Sequence, residues 1–338
     1  MTSQNENKNK NSIFSNISGR RKTNYYIGID VGGTNTKIAL IDSKGNLYHL
    51  TRLYNRDIEL TKEKFLSLLV EKTNEIINKA NQVISGIGIS LPGLQKSDGS
   101  GTLFSINLPF LNGINFKKFF LNEYNLQVSV INDLVAHSLG EYQFGTGQKA
   151  KRLLYVSLGT GIGHTFVNNG RPLIIINGIS GDSGRMILDI NSPICDASGV
   201  YGSAEALCGV KAIEDLIEKR GLKKKFCYSS DIIEAAKKQN DADAMEILSI
   251  ISHRVAQLLV NLASIFFPEI IALTGGQVEA GEFFIYECRN EFYKLSSNYF
   301  NQYIQLIGEN GNIQIVKAET GGLAGLLGSI VPFLRKCF

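Results

Sequence analysis

Residues 24–40 constrain the fold of this chain more than any other stretch. Asn24 is followed by an apolar, β-rich run from Tyr25 to Ile29, and a second such run resumes from Lys37 to Ile41. Between them lie Asp30, Gly32, Gly33 and Thr34, so the segment reads as strand, turn of small residues, strand. Glycines at 32 and 33 can take positive φ, which would let successive backbone N–H groups converge on an anion. Thr34 adds a hydroxyl donor and Lys37 a cation. Asp30 stands where a carboxylate could hold Mg²⁺, directly or through water. An ordinary glycine hairpin is the alternative reading of these residues taken alone.

The chain of 338 residues is long enough for two domains, and its 43% hydrophobic and 20% charged residues are those of a soluble globular protein. No apolar run approaches a membrane span; the longest candidates, near Ile174 and Ile265, are short and interrupted. Five scattered cysteines without a CxxC pair point to reduced thiols and a cytoplasmic protein. Lys8, Lys10, Arg20, Arg21 and Lys22 against Glu6 account for the whole formal charge of +4, so the body from residue 25 onward is balanced. A balanced body is a poor nucleic-acid binder. Residues 1–23, rich in Asn, Lys and Ser, are expected to be a disordered tail without the apolar core of a secretory signal.

Further along, Asn46–Arg52 reads as a strand, Thr61–Ala80 as an amphipathic helix, and Ile84–Ile89 and Gln127–Ile131 as buried strands. This alternation predicts an α/β fold with a largely parallel sheet. The composition Ser-Gly-Ile-Gly-Ile-Ser over residues 85–90 predicts a close backbone approach. Asn132-Asp133 follows the strand and precedes a helix. A carboxylate there sits where open α/β sheets bind ligands, although either residue alone also reads as a helix N-cap. Leu153–Leu158 leads into Gly159-Thr160-Gly161-Ile162-Gly163, which fails as a dinucleotide fingerprint because His164 and a β-like stretch follow. Asn168-Asn169-Gly170-Arg171 reads as a hairpin turn, Glu205–Arg220 as one helix, and residues 243–267 as a long core helix stopped by Pro268.

Asp30, Gly32, Gly33, Thr34 and Lys37 resemble the first phosphate loop of the sugar-kinase, actin and Hsp70 superfamily, and most closely that of the ROK family of repressors, open reading frames and kinases. The resemblance runs from about Tyr25 to the C-terminus. It implies a two-domain actin-like ATPase (ribonuclease H-like) fold with the active site in the interdomain cleft. Residues 24–133 would form the N-terminal α/β domain and 134–320 a larger C-terminal one, with a last helix over about 321–337 packing back on the first. Gly159, Thr160 and Gly161 resemble the second phosphate loop and Gly275 and Gly276 the adenosine turn, implying ATP and Mg²⁺. Asp133, ahead of Gly140-Glu141, matches the catalytic base that takes the proton of a sugar hydroxyl. Asn132, Glu205 and, in Asn-Leu-Pro, Asn107 match residues that bind the sugar in that family together with Asp133, and Asp182 and Arg185 stand in place of two others that do.

The chain departs from the family pattern in one segment. Gly-Glu-x-Gly-His is here Gly181-Asp182-Ser183-Gly184-Arg185, and the cysteines of the family's zinc motif are replaced by Asp196, Ser198 and Ser203. Gly199 and Gly202 fix that register; Cys195 is one position out of it. No four-ligand set remains, so no structural zinc is expected, and hydrogen bonds from the three replacements would hold the loop. Arg185 offers only donors and must be paired, with a local carboxylate such as Asp182 or Glu205 or with an anionic substrate.

The expectation is an ATP-dependent hexose kinase of glucokinase type acting in carbohydrate metabolism, with no nucleic-acid or membrane partner and with a homodimer compatible. The alternatives are a non-catalytic sugar sensor on the same fold, or a kinase for fructose, mannose or an N-acetylated hexosamine. A repressor is disfavoured because only 29 residues precede Asp30, fewer than the roughly 50 that a three-helix DNA-binding domain needs.

Overall fold

Two glycine-tipped hairpins each begin a five-stranded sheet. The computed structural model describes residues 23–55, 61–238, 241–306 and 312–334, so the expected tail lies, Thr23 apart, outside the described residues. In the first half, β1 (Tyr25–Val31), β2 (Asn35–Asp42) and β3 (Leu47–Tyr54) form an antiparallel meander. Helix α1 (Lys62–Lys79) follows, with Thr61 as its N-cap accepting from the Lys64 N–H at 3.3 Å. It buries Phe65, Leu69, Thr73 and Ile76, a 3.6-residue stripe. β4 (Ile84–Leu91) returns parallel to β1, and a small ribbon of β5 (Leu94–Gln95) and β6 (Thr102–Phe104) leads to α2 (Phe116–Tyr124). β7 (Gln127–Asn132) completes the order β3-β2-β1-β4-β7 and runs directly into α3 (Asp133–Phe144).

The second half repeats this plan. β8 (Arg152–Leu158), β9 (Ile162–Asn168) and β10 (Arg171–Pro172) are the antiparallel part. Asn169 and Gly170 both have positive φ at the second turn, 50° and 79°, which is the twist a two-residue hairpin requires. After helices α4 (Ala204–Cys208), α5 (Val210–Lys219), α6 (Ser229–Lys237) and α7 (Ala242–Phe266) comes β11 (Ile270–Thr274), parallel to β8. α8 (Glu282–Leu306), β12 (Gln314–Lys317), α9 (Ala324–Ser329) and α10 (Val331–Leu334) end the chain, giving the order β10-β9-β8-β11-β12. Both sheets are mixed rather than largely parallel: β2 and β9 each run against the other four strands of their sheet, so two of the four pairings in each are antiparallel.

Three further expectations are corrected. The helix expected over Glu205–Arg220 breaks at Gly209, whose backbone is extended (φ −71°, ψ 176°). A Cβ there would press on the Glu205 carbonyl oxygen at 2.6 Å, so the sequence permits a break that helical periodicity does not reveal. α7 is long and apolar enough to cross a membrane by length and composition, against the expectation that no apolar run approaches a span. Its Ile247, Leu248, Ile251, Val255, Leu258, Leu259 and Leu262 are fully or almost fully buried in the second half's core, the place of a soluble core helix. Finally, Gly32 and Gly33 do not take positive φ. The Gly32 N–H closes the first turn on the Asn35 carbonyl at 3.0 Å, and Asn55 braces the turn by donating to the Gly32 carbonyl at 2.6 Å.

The two halves exchange their last helices. α3 leaves the first sheet, yet Val135 and Leu139 pack on Leu153, Tyr155, Val167 and Ala272 of the second. α9 leaves the second sheet, yet Leu326, Leu327 and Ile330 pack on Tyr26, Ala39 and Ile41 of the first. The glycine strand β4 is where α9 comes closest: a Cβ on Gly88 would overlap the Ser329 backbone carbonyl, the close approach that its composition foretold. Gly88→Ala must therefore push α9 off the sheet. A loss of about 1–3 kcal/mol is expected from the shift in the urea midpoint, with an unchanged slope.

Candidate active site

The carboxyl ends of β1, β4 and β7 converge on Asp30. It is 5% exposed; Ser90 of β4 donates to its Oδ1 at 2.8 Å, and the Lys37 ammonium lies 3.4 Å from its Oδ2. His137, one turn into α3, brings Nε2 to 3.7 Å from the same Oδ1, an ion-pair distance rather than a hydrogen bond. Burial pushes the Asp30 pKa up, but His137, Lys37 and Ser90 outweigh it and hold the carboxyl at about 2. The opposite balance holds at His137: burial favours the neutral ring, and Asp30 with Asp133 raises its pKa above the ordinary value.

Asp133 opens α3 and is half-buried, its Oδ1 accepting from the Leu134 N–H at 2.8 Å. Burial, joined by the Asp30 charge and opposed by His137 and the Leu134 N–H, lifts its carboxyl above the usual range. Asn132 carries the cap: its Oδ1 accepts from the N–H groups of Leu134 and Val135 at 3.0 and 3.3 Å, and its Nδ2 donates to the Gly93 carbonyl at 3.1 Å. Both ends of that amide are thus engaged.

Three glycine turns end strands of the two sheets, and the first of them lies beside this cluster. Lys37, beyond the first turn, donates to the Gly322 carbonyl at 2.7 Å, tying that hairpin to the segment before α9. A Cβ on Gly325 would overlap the Asp30 carboxylate, so α9 begins against it. The second turn, Gly159–Gly161, closes by the Gly159 N–H on the Gly161 carbonyl at 3.1 Å. The third needs glycine twice over: Gly275 has φ 101°, and a Cβ would overlap the backbone of Leu158 at the end of β8. Positions 33 and 276 open into free space. Open backbone at the first of these turns can accept an anion. The one buried carboxylate beside it suits Mg²⁺, which keeps most of its waters. Among the described residues no cluster of three His, Cys, Asp or Glu side chains could hold an ion by itself.

The segment after β10 reaches across to the first half. The Gln95 N–H donates to the Asn177 carbonyl at 2.7 Å, Asn177 Nδ2 returns to the Gln95 carbonyl at 2.8 Å, and the Cβ position of Gly178 is 3.7 Å from Asn132 Cβ. Arg185 then pairs with protein: Nη1 is 2.8 Å from both Asp196 Oδ2 and Glu205 Oε1, and Nε is 3.5 Å from Asp182. Burial, with the charges of Glu205 and Asp196, raises the Asp182 pKa against the pull of Arg185. Glu205 Oε2 accepts from the Ile162 N–H at 3.3 Å and would meet a Cβ on Gly161 at 2.9 Å. Glu205, expected to meet the sugar, therefore also underlies the second glycine turn. Asn107 is exposed on the loop after β6, outside the hydrogen bonds that join these residues.

Sequence reasoning missed Ser90, His137 and the structural task of Glu141. His137 is four residues after Asp133 on one helix face, a spacing that carried the signal. Glu141 is fully buried and accepts from the Thr146 N–H and hydroxyl (both 2.8 Å), the Glu319 and Thr320 N–H groups (both 2.9 Å) and the Thr320 hydroxyl. Burial raises its pKa, but these donors together bring it below the ordinary 4.5. A lowered carboxyl pKa stabilises the fold above the unfolded value, and that stability is lost as pH falls through the folded one. Glu141→Ala should cost about 2–3 kcal/mol near neutrality, and its Tm deficit should shrink as pH drops below about 4.5.

The arrangement has relatives. A glucokinase of Thermotoga maritima is 28% identical over 270 residues, 76% of this chain and 83% of its own. A xylose repressor of Bacillus subtilis is 28% identical over 287 residues, 83% of this chain and 71% of its own. The solved structure of a ROK family glucokinase from Streptomyces griseus, in complex with glucose and AMPPNP, superposes with a TM-score of 0.70 at 23% identity, covering 90% of this chain and 97% of that one. The α/β fold is that of the ROK sugar kinases, the actin-like ATPase fold. The ROK family profile spans residues 26–335, and the chain belongs to that family.

Proposed function

We propose that the protein transfers the γ-phosphoryl group of ATP to a hydroxyl of a hexose, with Asp133 as the general base. The observation that carries this reading is the placement of Asp133. A half-buried carboxylate of raised pKa stands at the end of β7, within the electrostatic reach of Asp30 and His137. A base of raised pKa accepts the hydroxyl proton more readily as the oxygen attacks.

Gly32, Gly33, Thr34, Lys37 and the turn Gly159–Gly161 would hold the phosphates, and Gly275 with Gly276 the adenosine. Asp30 would hold Mg²⁺ through water, and the ion when bound neutralises charge on the phosphate oxygens. Asp182 and Glu205 would accept hydrogen bonds from the sugar, Arg185 holding Glu205 in place. Asn132 would act mainly by fixing the start of α3, since its amide is already engaged. Positioning and charge stabilisation are the main contributions expected of such a site.

A second reading, a sugar sensor without turnover, is favoured by one observation. Glu205 has both carboxylate oxygens engaged by the protein, and a xylose repressor stands among the relatives. A coupled assay for ADP with a panel of glucose, fructose, mannose and N-acetylated hexosamines separates the two: turnover supports the kinase, and tight sugar binding with none supports the sensor. In the kinase, Asp133→Asn should lower kcat by at least ~10²-fold and leave sugar binding nearly intact. The acid limb of the wild-type pH–rate profile should lie above 3.8, the ordinary aspartate value, because the Asp133 pKa is raised. Near wild-type turnover in the Asn variant would exclude Asp133 as the base.

A further inference from the structure

The segment between Asp182 and Glu205 is organised by a carboxylate at its centre. The Asp196 side chain has no exposed surface, and both of its oxygens are engaged. Oδ1 accepts from the Ser198 N–H at 2.8 Å, the Ser198 hydroxyl at 2.7 Å and the Val200 N–H at 3.2 Å. Oδ2 accepts from the Ser203 hydroxyl at 2.6 Å and faces Arg185 Nη1 at 2.8 Å. Burial would raise the Asp196 pKa, yet Ser198, Ser203, Val200 and Arg185 together drive it far below the usual carboxylate range. The donors that surround Asp196 are those that an ionised, buried carboxylate needs.

Two chains of contacts run from Asp196 to Glu205. One passes through Arg185, whose Nη1 is shared between the two carboxylates. The other passes through Ser203, which donates to Asp196 and, as the N-cap of α4, accepts from the Ala206 N–H at 3.1 Å. Glu205 is the second residue of that helix. Its position is thus set from the side-chain end and from the backbone end by one buried group.

The residues do not fit a zinc ion. A structural zinc site closes with four Cys or His ligands, whereas positions 185, 196, 198 and 203 offer a guanidinium, one carboxylate and two hydroxyls that are spent on hydrogen bonds. The guanidinium lies on the carboxylate and supplies the positive charge itself. We propose that Arg185 and Asp196 form a metal-free centre that replaces a structural metal in this segment, and that both are positioning residues for Glu205. The centre rests on geometry alone; its effect on sugar affinity rests on the reading of Glu205 as a sugar contact, and the two are measured separately.

Purified wild-type protein should contain well under one zinc per chain by elemental analysis, and EDTA should leave its Tm unchanged. Stoichiometric zinc, or a Tm that falls with EDTA, overturns the proposal without any variant. Arg185→Met, of similar length but uncharged, should lower Tm and raise the sugar KM at least ~10-fold, by more than it raises the ATP KM, and Arg185→Lys should recover part of both. Equal effects on the two KM values, or none on the sugar KM, would refute the positioning role. Replacing Arg185 by His and Asp196, Ser198 and Ser203 by Cys in one variant should create a site that takes up one zinc per chain and regains the Tm lost in Arg185→Met. Failure of that folded variant to bind zinc would show that the four positions do not surround one point. If the protein phosphorylates no sugar, the zinc and Tm measurements still decide the centre.

Discussion

The exchange of terminal helices between the two sheets is the constraint on which the molecule depends. Each sheet feeds its last parallel strand into a helix that packs on the other sheet, so neither half is complete without the other's helix. The exchange requires α3 and α9 to cross at near-backbone contact. Cβ atoms on Gly140 and Gly328 would overlap the carbonyls of Ala324 and Ala136 respectively, so small residues are obligatory on both sides. Glu141 locks the crossing by gathering the turn at Glu319 and Thr320 onto α3. Asp133 begins one of these helices, and Gly325 of the other lies on Asp30. The same packing that joins the halves therefore places two carboxylates of the candidate site.

Two acids this close repel each other, and their separation in pKa shows how the site resolves the conflict. Asp30 has Lys37, Ser90 and His137 around it and stays ionised to about pH 2. Asp133 has fewer partners and bears the Asp30 charge, so its carboxyl is pushed the other way. Pairs of titratable groups driven apart in this way suit separate tasks, one kept charged and one able to take a proton. His137, whose own pKa the two acids raise, favours ionisation of both when it is protonated.

Local sequence disclosed the parts whose determinants are local. Thr61 capped the first helix as its position before the apolar stripe implied, and Asn169-Gly170 made the turn that such a pair favours. The glycines of β4 announced a close approach, though not its partner, because Ser329 is more than 200 residues away in the chain. Ser90 on Asp30 and Lys37 on the Gly322 carbonyl are likewise long-range contacts, 60 and 285 residues apart, and no periodicity encodes them. The first turn shows a second limit. Gly32 and Gly33 were read for their freedom at positive φ, but the turn closes without it through Asn35 and Asn55, and Gly33 instead leaves space where a side chain would stand. A glycine motif specifies backbone access more firmly than it specifies dihedral angles.

Asp30, Glu141 and Asp196 share one physical solution. Each is a carboxylate buried at a cost that only charge-assisted hydrogen bonds offset, and each draws its donors from separate elements or loops. Removing an apolar contact leaves a cavity, whereas removing one of these acids leaves several donors without an acceptor, so each junction is specified as well as stabilised. Asp30 joins β1 to β4 and α3, Glu141 joins α3 to the approach of α9, and Asp196 joins the Arg185 turn to α4. In the proposed kinase these would be the phosphate side, the joint between the two halves and the sugar side of the site. A carboxylate with its own donors needs no metal to hold such a junction, and at Asp196 it meets the demand with groups the chain already carries.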